Sequence, residues 1–224
     1  MDQKPDFKRF HDDISKRRIE WLIHFTTTEN LSSIIQYGAL LSRTRVNELN
    51  IEIQDLLDFI QFPDDYRFDN LEDYINLSIQ RPNRYLLDRF MQKLASHPDI
   101  HWCILKIQPH HIYARPTLFS VTNAASNAAK NKFGISGDFD KFTSLFQNEL
   151  TISTSSGTRT FNRNGIPDNY TTDIQAEVLV KNAILYEDII NICFRDEETL
   201  NNTRSAFNIM GLDTTKFIVD KDIF

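Results

Sequence analysis

The stretch DYINLSIQ (73–80) alternates strictly. Ile75, Leu77 and Ile79 fall on one side of an extended chain, and Tyr74, Asn76 and Ser78 on the other. That period predicts a strand buried on one face and polar on its second. On its N-terminal side, WLIHFT (21–26) predicts a second strand, preceded by a helix over 6–18 with Asp6 as N-cap and Phe7, Phe10 and Ile14 on one face. A helix over 28–37 turns Leu31, Ile34 and Ile35 inward and ends at Gly38. Apolar residues from Val46 to Ile60 then recur at helical spacing, with Pro63 beyond them. On the C-terminal side the pattern predicts a helix over 84–95, a strand over 101–107, an extended piece over 117–121 and a helix over 138–147. Residues 151–165 (TISTSSGTRTFNRNG) read as the least structured stretch, polar and turn-rich. Strands over 176–180, 189–194 and 216–219 and a helix over 196–209 complete the chain. Helices gather early and short strands late, which indicates an α+β fold rather than a repeated βαβ unit. With no internal repeat and no Pro/Gly-rich linker, one domain over 1–224 is expected.

Composition removes several classes. The 224 residues are 41% hydrophobic, enough for a packed core and too many for a disordered chain. No apolar run is long enough to span a bilayer, and MDQKPDFKRFHDD lacks a secretory signal, so a cytoplasmic protein is expected. Cys103 and Cys193 sit singly among apolar residues and read as reduced core thiols. The formal charge of -6 is unevenly spread. Residues 48–73 sum to -8, residues 74–164 to +6 and residues 165–200 to -6. A basic middle can bind phosphate locally even in an acidic chain, although charge alone does not name the partner.

Six glycines leave no Gly-rich phosphate loop, and there is no Gly-x-Ser-x-Gly elbow. His110-His111 and the His97/His101 pair offer nitrogen donors, but without HExxH or CxxC no metal site is predicted. Three segments carry candidate chemistry. In His24-Phe25-Thr26, alternation sets an imidazole and a hydroxyl side by side, ready either to bind a polar ligand or to satisfy an edge strand. The polar face of residues 74–79 runs into an Arg81-Pro82-Asn83 turn. In QAEVLV (175–180), Glu177 stands in an apolar strand, where a carboxylate must be paired, exposed at a cleft or shifted in pKa. It is either a catalytic group or part of an exposed edge.

Together these segments resemble the DarT family of DNA ADP-ribosyltransferase toxins. The resemblance rests on IHFTTTENLSSIIQYGALLSR (23–43), YRFDNLEDYINLSIQRPNRYL (66–86), TNAAS (122–126) and IPDNYTTDIQAEVLV (166–180), in the family's order. It implies an ADP-ribosyltransferase-like fold, with two small packed sheets around an NAD cleft and an α-helical N-terminal part. It implies transfer of ADP-ribose from NAD to a base of single-stranded DNA, guanine or thymine, and reversal by a macrodomain antitoxin. Glu177 and Arg67 would be catalytic; His24, Thr26, Asn30, Tyr74 and Asn83 would hold NAD. Asn123 would lie near the DNA, and Arg159, Phe161 and Arg163 would form a stacking and phosphate-binding set in a target-recognition loop. The INLSIQRPN text departs from the thymine-modifying members and leans towards guanine. A transferase of the same fold acting on RNA or protein, or a non-catalytic NAD-binding module, are the competing readings.

Overall fold

A computed structural model describes residues 2–49, 70–93, 95–97, 100–154 and 157–224. Helices and strands are numbered in chain order among these residues. Helix α1 (Phe7–Arg17) buries Phe10 and Ile14 and ends at Arg18 in the left-handed conformation. Strand β1 (Leu22–Thr27) leads into α2 (Thr28–Tyr37), which stops where Gly38 takes φ +72°. That conformation costs a glycine little, and its N–H satisfies carbonyls of the last turn. After β2 (Ala39–Leu41), helix α3 (Arg43–Glu48) is capped by the Ser42 hydroxyl and starts earlier than the Val46–Ile60 periodicity suggested. From Asn50 that expected helix lies outside the described residues.

Strand β3 (Tyr74–Ile79) has the burial alternation its sequence predicts, with Ile75, Leu77 and Ile79 nearly inaccessible. Helix α4 (Arg84–Lys93), strand β4 (Trp102–Ile107), the short strand β5 (Leu118–Ser120) and helix α5 (Phe139–Ser144) follow. Next come β6 (Glu149–Thr154), β7 (Gly157–Asn162), β8 (Glu177–Lys181), β9 (Ala183–Leu185), β10 (Ile189–Phe194), helix α6 (Glu197–Ile209) and β11 (Phe217–Val219). The stretch expected to be irregular, 151–165, is thus largely a β-hairpin. Its six register pairs run from Glu149↔Asn162 to Thr154↔Gly157. Leu150 and Ile152 anchor it in the core, a period-2 signal hidden among Thr and Ser residues, which also suit strands.

The main sheet has seven strands in the order β11-β10-β4-β1-β3-β8-β5. Two smaller pairs, β2-β9 and β6-β7, flank it. Strand β1 pairs with β4 along its whole length, Leu22↔Ile107 through Thr27↔Trp102. Its pairing with β3 covers only Leu22↔Ile79 and Ile23↔Ser78. The two sheets expected to flank a cleft are therefore halves of one sheet, joined at one end and open at the other. One face is covered by the larger core, which includes Leu22, Leu105, Phe119, Phe142, Val178 and Phe194. The opposite face holds a smaller cluster of Ile23, Leu87, Ile104, Cys193 and Ile223, with Phe25 packed against it. Both cysteines are fully buried free thiols, and desolvation pushes the Cys193 thiol up to about 12.

Near the N-terminus, buried Lys4 donates to the carbonyls of Thr117 and Gly137, its own pKa drawn down to about 8 by burial. This ties the chain's start to the strand leading into TNAAS. No described helix is long and apolar enough to cross a membrane.

Phe142 is at the centre of the aromatic packing, within 5.3–6.2 Å of the rings of Phe10, Phe119, Phe139 and Phe146. Phe142→Ala is expected to destabilise the chain by about 3–5 kcal/mol, read as a lowered midpoint in urea unfolding.

Candidate active site

The site begins where β1 and β3 part. Beyond Ile23 the ladder between them stops, and the His24 side chain takes its place, with Nδ1 3.1 Å from the Asn76 carbonyl. A carbonyl only accepts, so Nδ1 carries the proton when the ring is neutral. Burial pulls the His24 pKa below its ordinary value, opposed by that bond, so the ring is neutral at pH 7 with Nε2 as an acceptor. Thr26 lies on the same face one step along, buried, and its Oγ1 is 3.2 Å from Asn30 Nδ2 on the first turn of α2. Asn30 Oδ1 is buried with no hydrogen-bond partner among the described residues. His24 and Thr26 share a face, as alternation predicted, and Asn30 on α2 extends it into one polar row, while Phe25 packs with Phe90 and Trp102 on the far side.

Glu177 opens β8 and is 7% exposed. Its Oε1 accepts from Asn76 Nδ2 at 3.2 Å, and its Oε2 from the backbone N–H of Ala124 at 2.8 Å. It is an anchored carboxylate in the sheet, not an exposed edge group. The β3–β8 register, Asn76↔Leu179 and Leu77↔Val178, sets Asn76 beside it. The TNAAS turn supplies the second donor: Asn123 Oδ1 accepts from Ala125 N at 2.8 Å, and Ser126 N donates to the Asn123 carbonyl. Asn123 therefore shapes the turn that aims the Ala124 N–H at Glu177. Asn76, which reaches both His24 and Glu177, belongs to the site though the sequence reading did not single it out. Its place on the polar face of an alternating strand was the available signal.

A second buried acid lies close by. Asp173 is fully buried, and desolvation raises its pKa against the Gln175 N–H, the Thr122 hydroxyl, Arg81 and Arg159. Arg81, from the Arg-Pro-Asn turn, stacks its guanidinium 4.6 Å from the Tyr170 ring and donates to the Thr171 carbonyl. TNAAS thus touches both acids, Thr122 at Asp173 and Ala124 at Glu177.

Other expected residues fall elsewhere. Asn83 accepts from Leu86 N through Oδ1 and caps α4, which is a structural task. Tyr74 lies on β3 opposite Lys181, whose ammonium sits 5.9 Å from its ring. Arg67 lies outside the described residues. In the hairpin, Arg159 is exposed, but Phe161 packs against the core, so it is not a free stacking ring. Arg163 is not a free phosphate ligand either. Its Nη1 donates to the Tyr170 carbonyl and its Nη2 to those of Pro167 and Asp168, at 2.7, 3.0 and 3.0 Å. It fastens the loop leading to Asp173.

This layout is an ADP-ribosyltransferase-like fold. A family model described as "ssDNA thymidine ADP-ribosyltransferase, DarT" matches residues 23–224, and the chain belongs to that family. Among solved structures, Thermus sp. 2.9 DarT in complex with ADP-ribosylated ssDNA is similar, with TM-score 0.58 and 14% identity over 92% of this chain and 97% of that one. The same protein in complex with carba-NAD+ aligns with TM-score 0.58, 14% identity and coverage of 92% and 98%. Thermosipho africanus DarTG in complex with ADP-ribose aligns with TM-score 0.54, 17% identity and coverage of 92% and 51%. The chain thus spans about half the length of that DarTG chain. No curated protein matches it.

Arg163→Ala strips the loop carbonyls of their donor and is expected to lower stability by about 1–3 kcal/mol in urea unfolding. Arg159→Ala, at an exposed position, is expected to stay within about 0.5 kcal/mol of the parent.

Proposed function

We propose that the chain, acting as one ADP-ribosyltransferase domain over 1–224, transfers ADP-ribose from NAD to a base of single-stranded DNA and releases nicotinamide. The observation that carries this reading is Glu177, buried in the sheet and held through both carboxylate oxygens by Asn76 and Ala124. A carboxylate so fixed pays no reorganisation cost when charge develops beside it. Loss of nicotinamide leaves an oxocarbenium-like ribose carbon, which a fixed anion stabilises. The attacking base nitrogen must then shed a proton, and Glu177 takes it. His24 Nε2 accepts from a ribose hydroxyl of NAD, and Thr26 with Asn30 extends the same polar row. Arg67 joins Glu177 in catalysis, at the pyrophosphate or the departing nicotinamide. Tyr74 lines the NAD side.

An unpaired strand suits the chemistry, because pairing hides the base nitrogen. Arg159, exposed on the hairpin and electrostatically close to Asp173, supplies a phosphate contact at the DNA side, with Asn123 nearby. The family description favours thymine as the base. Guanine is the second reading, favoured by the INLSIQRPN text. The partner is a macrodomain antitoxin of the DarG kind; the greater length of the similar DarTG chain leaves room for one.

Incubation with NAD and a mixed-sequence single-stranded oligonucleotide, read by intact mass and fragmentation, is expected to show one ADP-ribose on thymine. An adduct on guanine selects the second reading, and no adduct on any nucleic acid removes DNA as the acceptor. Glu177→Gln is expected to cost about 10²- to 10⁴-fold in transfer with NAD binding kept. His24→Ala is expected to weaken NAD binding in calorimetry. Asn76→Asp sets a like charge beside Glu177, which raises the carboxyl's pKa. The ionised base is then lost at a higher pH, so the acid limb of the pH–rate profile is expected to move upward.

A further inference from the structure

His110, His111 and Asp188 meet at the end of the sheet opposite the opening. His110 and His111 sit in the 3-10 turn (Pro109–Tyr113) that follows β4, and Asp188 immediately precedes β10. Ile107, the last residue of β4, pairs with both Leu22 and Ile189, which places the cluster beyond the joined end of β1 and β3. His110 Nε2 is 3.5 Å from Asp188 Oδ1, and His111 Nε2 is 3.1 Å from Asp188 Oδ2. One donor atom from each of the three residues lies within 4.8 Å of the others.

We propose that this cluster binds one divalent transition-metal ion of the zinc class, apart from the transfer reaction. A tetrahedral zinc ion with nitrogen and oxygen ligands at about 2.0–2.1 Å spaces its donors by roughly 3.3–3.4 Å. The two histidine–carboxylate separations bracket that spacing. The His111 side chain is buried and faces Asp188, its Nε2 3.1 Å from Oδ2 and lacking a geometrically aligned hydrogen bond among the described residues. His110 and Asp188, with 30% and 19% exposed side chains, form the rim, where an ion can enter and a water can complete the coordination.

A further observation favours a metal over a simple ion pair: the two imidazole centroids are 4.5 Å apart, so protonating both to pair with one carboxylate sets like charges against each other. Two imidazoles with one carboxylate suit zinc, nickel or copper rather than magnesium or calcium. Such an ion ties the turn after β4 to the start of β10, and so braces the half-sheet that carries β1.

The test uses the full chain without a histidine tag, zinc ions alone, calorimetry and thermal unfolding, with no NAD or DNA. Wild type is expected to bind one zinc per chain and to gain about 5 °C in melting temperature at saturating zinc. His110→Ala, at the rim, and the near-isosteric Asp188→Asn are each expected to weaken zinc binding at least about tenfold and to remove the thermal gain. Their melting temperatures without zinc are expected to stay near that of wild type. No zinc binding by wild type, or equal binding by both variants, overturns the proposal, the latter by placing zinc on other histidines.

Discussion

The structure depends on a ladder that stops early. Strands β1 and β3 share two register pairs and then diverge, and at the point of parting the His24 imidazole, not a backbone N–H, meets the Asn76 carbonyl. Backbone donors and acceptors in a sheet must find partners, so a strand pair can open only where side chains supply them. Here the supplying side chains are the ones the chemistry needs. On the closed side of this point the sheet is continuous and apolar, and on the open side it presents His24, Thr26, Asn30, Asn76 and Glu177.

The second constraint is the fixing of Glu177. A carboxylate within a buried strand is tolerable only if hydrogen-bonded, and its two described donors come from distant segments. Asn76 is brought by the β3–β8 register and the Ala124 N–H by the TNAAS turn, which Asn123 closes through its own side chain. The turn's other arm reaches buried Asp173, and Arg163 fastens the loop that delivers Asp173. Lys4 fastens β5 from below by donating to the Thr117 and Gly137 carbonyls. Several polar residues that look like surface chemistry are therefore structural braces around the Glu177 and Asp173 corner.

That distinction explains where reading the chain succeeded and where it did not. The strict alternation in DYINLSIQ and the His-Phe-Thr order in β1 are local patterns set by the two-residue period of a strand, and both faces came out as the sequence implied. Asp6, expected to cap α1, makes no side-chain cap bond, but helices α1 and α2 were legible through apolar periodicity and, for α2, through Gly38 at its end. The hairpin over 149–162 was not, because its threonines and serines read equally well as loop or strand until Leu150 and Ile152 find the core. Phe161 and Arg163 looked free for DNA because nothing local shows that one packs inward and the other is engaged by three carbonyls.

The sequence by itself determined the α+β class, the polar faces of β1 and β3, the buried thiols and the oddity of Glu177, since each follows from residue type and short-range period. Only the tertiary structure decided that β1 and β3 part after two pairs, that Asn76 and Ala124 hold Glu177, that Asn83 caps a helix, and that His110, His111 and Asp188 share one corner. Apart from the local Asn83 cap, these are contacts between segments tens of residues apart. Their geometry comes from register and packing, which no local pattern encodes.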